Sequence, residues 1–226
     1  IYGDTDSVFL KSPTSEQIQK IIEWSDKELR IELDIEKTYR YLALSERKKN
    51  YLGVYLDGSV DIKGLTGKKR HMPPFIQNAF LEMVKELSKV EAPEDFEEAK
   101  QQIKNKLKSF IKKLEKNEFP VEDLAFRMTL SRDLNRYTKT IPQHVRAARL
   151  LESKLHKKLG SGDIIRFVKT KGPVGVLPVE LAKVTDVSVK KYKQQLESTF
   201  DQVLDAMGIQ FEELYGIKVR KLDAFV

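Results

Sequence analysis

Residues 1–9, Ile1-Tyr2-Gly3-Asp4-Thr5-Asp6-Ser7-Val8-Phe9, decide how the rest of the chain is interpreted. Two apolar pairs flank a short polar centre, and this pattern predicts a β-hairpin with Gly-Asp-Thr-Asp at its tip. Gly3 and Asp4 tolerate the backbone angles of a tight turn. Asp4 and Asp6 offer the hard oxygen ligands that Mg²⁺ prefers. An isolated Asp-x-Asp pair is usually a pair of solvated turn residues, so a metal site needs support from the remaining sequence.

The composition indicates a globular chain with a polyanionic partner. Its 226 residues include 41 Lys+Arg against 34 Asp+Glu, a formal net charge of +7. This excess of positive charge favours a polyanionic partner, of which nucleic acid is the first candidate. Cysteine is absent and histidine occurs three times, which excludes disulfides and a zinc constellation. No apolar run is long enough for a membrane span, and no signal peptide is visible, so we expect no membrane partner. The chain begins with Ile1 inside a predicted strand, so we expect it to be a piece of a longer polypeptide.

The first third of the chain predicts a helix followed by strands. Thr14 with Gln17 three residues later forms a capping-box pattern, and apolar residues then recur at helical spacing to about residue 33. This helix is expected to pack on a sheet. Strands are predicted by alternation and β-propensity, with a tight turn at Asp57-Gly58; their ranges are 33–36, 39–44, 50–56 and 59–63.

The remaining two thirds predict more helix. Pro73-Pro74 opens a helix, and the composition shift there marks a domain boundary between residues 1–72 and residues 73–226. The fold class is therefore α+β, an antiparallel sheet with a packed helix followed by a mainly helical part. The further elements expected are a helix over 94–116, a strand over 126–130, a helix from 141, a strand over 164–168 and a helix that Gly208 stops.

Asp34 and Glu36 fall on one face of a predicted strand. Either they belong to a solvated strand face, or they form a second carboxylate pair beside the cation of Asp4 and Asp6. Both interpretations stay open at this point.

Basic residues cluster at two further places. Residues 47–51 combine three cations with Tyr51, a combination that suits phosphates and a sugar or groove edge. Lys63, Lys69 and Arg70 surround two glycines, which predicts a mobile basic loop that touches backbone phosphates.

Together these stretches resemble family B DNA polymerases of the archaeal replicative type. Residues 2–7, Tyr-Gly-Asp-Thr-Asp-Ser, resemble motif C of the polymerase palm. About 40 residues later, residues 48–51 resemble the family's Lys-Lys-x-Tyr motif, and Lys-Gly-Leu at residues 63–65 follows. The family usually has an acidic residue where this chain has Thr66. Tyr137, followed by Pro142-x-His144-Val145 and an alanine-bearing helix, resembles the polymerase thumb.

The resemblance implies a DNA-directed DNA polymerase that joins a dNTP to a primer 3′-hydroxyl by two-metal catalysis with Mg²⁺. It makes Asp6 the main metal ligand, Asp4 an auxiliary carboxylate, and Asp34 and Glu36 accessory carboxylates. Residues 1–72 would be the C-terminal part of the palm and residues 73–226 a duplex-gripping thumb. The DNA-binding residues it implies are Thr5, Lys48, Lys49, Tyr51, Lys63, Lys69, Arg70, Tyr137, His144 and Arg146. For His144, a cap or buried hydrogen-bonding role near a helix start is the alternative.

The resemblance also implies partners that the chain does not contain. The family needs a further metal-ligating Asp in motif A and a Lys-bearing fingers helix, and both precede motif C. We therefore expect primer-template DNA, dNTP and the upstream exonuclease, palm and fingers part of the same polymerase as partners. A sliding clamp is a further candidate, although no clean clamp-binding motif is present. The location would be cytoplasmic and nucleoid-associated in a prokaryote, and nuclear otherwise.

Two other functions remain open from the sequence. One is a duplex DNA-binding module or an inactivated polymerase relative with vestigial carboxylates. The other is a metal-dependent transferase that binds a nucleotide sugar through Asp-x-Asp, which would not need Lys48-Lys49-Asn50-Tyr51. Without motif A, the 226 residues are expected to be inactive alone.

Overall fold

A computed structural model describes residues 2–4, 7–44, 51–64 and 69–215. Within these ranges, five α-helices combine with three small antiparallel sheets. The predicted α+β class is confirmed. None of the described helices is both long enough and apolar enough to cross a membrane.

The predicted N-terminal hairpin is confirmed. Strand β1 (Tyr2–Asp4) pairs antiparallel with β2 (Ser7–Phe9), with Tyr2 opposite Phe9 and Asp4 opposite Ser7. Gly3 and Asp4 are strand residues rather than turn residues, so the connection is shorter than predicted. It consists of residues 5 and 6, which lie outside the described residues.

Helix α1 (Ser15–Trp24) begins as its sequence predicts but does not pack as predicted. The Thr14 hydroxyl accepts from the Gln17 amide at 3.2 Å, and the Gln17 side chain accepts from the Thr14 amide at 2.9 Å. A π-helical turn, Ser25–Leu29, follows it and ends at Arg30 with φ of 54°. No residue of α1 is buried, and Trp24 is 55% exposed. The predicted packing on a sheet is therefore wrong for the described part of the chain.

The strand predicted over residues 33–36 is also wrong. Residues 31–38 have no regular secondary structure, and Ile35 is exposed. A strand is stable only when a neighbour pairs with it and one of its faces is covered. This segment is not part of any ladder formed by the described residues.

The central sheet has the order β3-β4-β5 and separates a core face from an aromatic face. Its strands are β3 (Tyr39–Leu44), β4 (Tyr51–Tyr55) and β5 (Val60–Lys63), with Gly58 at φ of 83° in the predicted turn between the last two. Because side chains alternate along a strand, Leu52 and Val54 enter the core while Tyr51, Gly53 and Tyr55 share the opposite face.

The remaining helices build most of the core. They are α2 (Pro74–Ser88), α3 (Asp95–Glu115), α4 (Gln143–Leu155) and α5 (Val189–Ala206). Short 3₁₀ turns lie between or after these helices, at Val121–Leu124, Leu134–Arg136, Val179–Leu181, Val184–Asp186 and Phe211–Tyr215. The third sheet has the order β6-β7-β8, formed by β6 (Phe126–Thr129), β7 (Ile164–Lys169) and β8 (Val176–Pro178).

One hydrophobic cluster joins the central sheet to these helices. Leu52 and Val54 of β4 belong to the same cluster as Phe75 of α2 and Phe200 of α5. Tyr192 belongs to this cluster and joins two further backbone segments to it. Its hydroxyl donates to the Leu124 carbonyl and accepts from the Lys169 amide. The cluster crosses the predicted boundary between residues 72 and 73, so the division into two domains stays a prediction.

Candidate functional site

The β1–β2 hairpin places Asp4, the first residue of the Asp-x-Asp pair, at the end of its first strand. Asp4 ends β1 directly opposite Ser7, the first residue of β2. Thr5 and Asp6 themselves lie outside the described residues. Two carboxylates two residues apart in sequence are a suitable donor set for Mg²⁺, which is usually held by one or two carboxylates together with waters and substrate phosphates.

Asp34 and Glu36 lie on the exposed irregular segment before β3. The Glu36 carboxylate is 3.8 Å from the Lys37 ammonium, a loose surface ion pair. Among the described residues, no three His, Cys, Asp or Glu side chains are grouped so that they could hold a metal ion. The accessory role of Asp34 and Glu36 stays a prediction.

Aromatic rings connect the carboxylate hairpin to the central sheet. The Phe9 ring, in β2, meets the Tyr51 ring edge-on with centroids 5.4 Å apart, and it stacks on Tyr39 at 6.4 Å. Tyr39 also contacts Tyr51 at 6.3 Å and Tyr55 at 4.9 Å. We call Phe9, Tyr39, Tyr51 and Tyr55 the aromatic bridge. It links β2, which follows Asp6 in the sequence, to β4, which follows Lys48 and Lys49. Asp6, Lys48 and Lys49 themselves lie outside the described residues.

Asp61 anchors the aromatic bridge from β5. One of its carboxylate oxygens accepts from Lys37 Nζ at 2.8 Å, from the Tyr39 hydroxyl at 2.8 Å and from the Tyr55 hydroxyl at 3.4 Å. Burial alone would raise the pKa of Asp61, but the hydrogen bonds from Lys37 and Tyr39 outweigh it and lower that pKa. The hydrogen bond to Asp61 raises the pKa of Lys37, and burial raises that of Tyr39. Asp61 is therefore held as a carboxylate.

Sequence reasoning missed this network. Tyr39 and Asp61 are 22 residues apart, so no local pattern connects them. One usable signal was the spacing of Tyr51 and Tyr55, which places both rings on one strand face. The other was Gly53 between them, since a glycine within a strand often marks a close approach. A Cβ at Gly53 would lie 2.4 Å from the Tyr39 ring.

The basic residues after β5 are exposed. Lys63 ends β5, and Lys69 and Arg70 precede α2. The Lys69 carbonyl accepts from the Met72 amide at 3.0 Å and from the Gln77 side chain at 3.3 Å, which ties the backbone of this basic segment to the start of α2. Residues 65–68 lie outside the described residues. The exposed cations are free to face phosphates, and the contact itself stays a prediction.

Tyr137 is 4% exposed, and its hydroxyl faces protein. It accepts from the Ser131 amide at 3.2 Å and lies 3.1 Å from the Ser131 hydroxyl, and these hydrogen bonds lower its pKa. The Arg132 guanidinium lies over the ring at 4.6 Å, and His144 meets the ring edge-on at 6.4 Å. Burial lowers the pKa of His144. Arg132 is exposed and was missed, although the polar, basic run over 131–139 contained it.

Arg146 is engaged with the β7–β8 loop. Its Nη1 donates to the Val174 carbonyl at 2.8 Å, and its Nε is buried without a hydrogen-bond partner among the described residues. Lys191, on α5, donates to the carbonyls of Thr170 and Gly175 at 2.9 and 3.3 Å. The predicted DNA contact of Arg146 would therefore compete with its role in holding this loop.

Comparison with known proteins places the chain in a family. A model of the family described as DNA polymerase family B matches residues 1–208. DNA polymerase 1 of Sulfolobus acidocaldarius is 40% identical over 225 residues, which is 100% of this chain and 25% of that protein. DNA polymerase 1 of Saccharolobus solfataricus is 41% identical over 214 residues, 95% of this chain and 24% of that protein. The chain thus spans about a quarter of the length of these relatives.

A solved structure shows the same fold. The family B DNA polymerase from the hyperthermophilic archaeon Pyrobaculum calidifontis matches with a TM-score of 0.59 at 22% identity, over 92% of this chain and 26% of that one. Because the family model spans most of the sequence and the Sulfolobus acidocaldarius relative is 40% identical across all of it, the chain belongs to DNA polymerase family B.

Proposed function

We propose that these residues are the C-terminal palm and the thumb of a DNA-directed DNA polymerase, with the boundary near residue 72. The observation that carries the proposal is the pairing of Asp4 with Ser7, which puts the first residue of the Asp-x-Asp pair at the end of a hairpin strand in a family B chain. In the proposed reaction, the primer 3′-hydroxyl attacks the α-phosphate of a dNTP, and pyrophosphate leaves.

Asp6 and Asp4 would hold Mg²⁺, together with an Asp from outside this chain. When bound, two such ions stabilise the attacking and leaving oxygens of an in-line displacement. The exposed cations Lys63, Lys69 and Arg70 would neutralise backbone phosphates of the primer-template duplex, as would Lys48 and Lys49. These contacts fix the register of the duplex, while base pairing with the template selects the dNTP.

The aromatic bridge supports this assignment of roles. It joins the hairpin that carries the carboxylates to the strand that continues from the Lys-Lys-x-Tyr motif. Chemistry at the primer end requires the duplex and the carboxylates to keep one relative position. A stand-alone duplex-binding module would not need that connection.

The first test is Asp6→Ala in the complete polymerase that contains these residues. Primer extension should fall by about a thousandfold or more, since loss of the ion site removes several kcal/mol of transition-state stabilisation. Duplex affinity, measured by fluorescence anisotropy, should stay within about twofold, because phosphate contacts dominate affinity. Asp57→Asn is the matched control, a charge removal at the exposed β4–β5 turn that should leave both quantities unchanged. Equal loss of extension and binding would make Asp6 structural and defeat the assignment.

A second test separates a polymerase segment from a nucleotide-sugar transferase. Binding of the 226-residue chain to a primer-template duplex is titrated with salt, and each phosphate neutralised should contribute about −0.9 to the slope of log K against log salt. A slope of several units that Lys48→Ala/Lys49→Ala reduces would support the polymerase. A salt-independent interaction would count against it.

A further inference from the structure

We propose that Phe9, Tyr39 and Asp61 are positioning residues that set the distance between the carboxylate hairpin and the strand that carries Tyr51. This inference rests on the proposed polymerase function and adds to it a fixed mechanical link between catalysis and duplex binding. None of the three needs to touch the substrate.

The hairpin needs an external support. Each of its two strands has three residues, and an isolated two-stranded hairpin is at best marginally stable in water. Phe9 ends the second strand, three positions after Asp6, and its ring contacts Tyr51 and Tyr39. The orientation of the hairpin that carries Asp4 therefore depends on where these rings lie.

The central sheet is a rigid platform for that contact. Leu52 and Val54 are fully buried in the core on the face opposite to Tyr51, so β4 cannot shift without disturbing the core. The rings on the open face have a fixed base.

Asp61 fixes the orientation of Tyr39 on that platform. It accepts from the Tyr39 hydroxyl and, in an ion pair of 2.8 Å, from Lys37, so the ring is held at both its packing face and its polar end. Gly53 lets the ring lie directly on the strand backbone. Tyr39 can then contact Phe9, Tyr51 and Tyr55 at once.

The experiment is single-nucleotide incorporation by the complete polymerase at saturating dNTP. Phe9→Leu and Tyr39→Leu should each slow incorporation by about tenfold, because a shift well below 1 Å at a reacting centre is costly. Duplex affinity and the dNTP concentration for half-maximal rate should stay within about twofold, since neither residue binds substrate. The double variant should be about as slow as the slower single variant, because both changes break the same link.

Conservative variants distinguish positioning from loss of fold. Phe9→Tyr keeps the ring and should restore the rate to within about twofold of the parent, at an unchanged melting temperature. Asp61→Asn should slow incorporation by about threefold, whereas Asp57→Asn, which removes the same charge from the neighbouring turn, should not.

Two outcomes would overturn the inference. One is an incorporation rate unchanged by Phe9→Leu and Tyr39→Leu, and the other is a double variant whose slowing is the product of the single effects. The Asp6→Ala result is independent of both. If extension is lost in Asp6→Ala but normal in Phe9→Leu, the proposed function stands and only the positioning link fails. If extension survives Asp6→Ala, the proposed function itself fails.

Discussion

Helices α1 and α2 have equally clear sequence signals and opposite surroundings. Helix α1 has a complete capping box and an apolar stripe, yet none of its residues is buried. Helix α2 has no side-chain cap but opens with proline and buries seven residues, six of them in the hydrophobic core. Caps and periodicity thus determine that a helix forms, whereas burial depends on what faces it. Since the relatives are about four times as long as this chain, they have additional residues available to cover the α1 stripe.

The largest expected difference between the two regions concerns aromatic truncation. Phe200→Ala, at a fully buried ring, should lower the free energy of unfolding by about 3–5 kcal/mol, because it leaves a cavity in the core. Trp24→Ala, at the end of α1, should change it by only about 0.5 kcal/mol, as exposed substitutions usually do. Urea unfolding of the 226-residue chain measures both. A Trp24 effect as large as that of Phe200 would show that α1 packs on this chain after all.

Removing a carboxylate charge should give an intermediate difference in the free energy of unfolding between α2 and α1. Glu86 on α2 is buried, and its carboxylate accepts from Lys106 at 2.8 Å and Lys89 at 2.7 Å. Glu16 on α1 pairs with Lys20 at 2.6 Å with both side chains more than two thirds exposed. Glu86→Gln should lower the free energy of unfolding by about 1–2 kcal/mol. This is less than the loss expected on breaking a fully buried ion pair, because Lys89 reaches solvent. Glu16→Gln should cost less than about 0.5 kcal/mol.

The pH dependence of stability sharpens the same contrast. Burial opposes ionisation of Glu86, but the hydrogen bonds from Lys106 and Lys89 outweigh it and lower its pKa. A lowered folded-state pKa means that the stabilisation is complete above the ordinary carboxyl value of about 4.3 and is lost as the pH falls through the folded-state value. Acid unfolding curves should therefore lose part of their slope in Glu86→Gln. If Glu86→Gln left the acid part of the unfolding curve unchanged, Glu86 would have the same pKa in the folded and unfolded states.

The smallest expected effect on global stability is at the start of α1, where the loss stays local. Thr14→Ala removes the hydroxyl that caps the Gln17 amide, while the backbone N–H of residue 14 can still donate to the Gln17 side chain, and this loss should cost about 1 kcal/mol locally. Because α1 buries nothing, the loss should appear as roughly fivefold faster amide exchange in α1, with α2 unaffected. Faster exchange throughout the chain, or a drop in global stability, would instead tie α1 to the core.

Local signals in the sequence predicted most elements and little of how they meet. The Asp57-Gly58 turn, the Thr14 cap and the Pro73-Pro74 helix start depend on neighbours in the chain, and each is confirmed. The alternation over residues 33–36 failed because a strand needs a partner that alternation does not supply.

The candidate site divides in the same way. The hairpin that carries Asp4 was predicted from a local pattern of apolar and turn residues, and it is confirmed. The hydrogen bonds that join Lys37 and Tyr39 to Asp61 span more than 20 residues. No local or periodic pattern in the sequence could therefore predict them. Burial of Tyr137 was equally invisible, since a polar, basic run suggested a surface.

The close approach at Gly53 has an evolutionary consequence. A methyl group there would overlap the Tyr39 ring, so a lineage that acquires any side chain at 53 must also lose or reorient the ring at 39. The two positions lie on neighbouring strands and are constrained as a pair. Among homologous polymerases, they should covary: an aromatic residue at 39 only with glycine at 53, and smaller residues at 39 wherever 53 has gained a side chain.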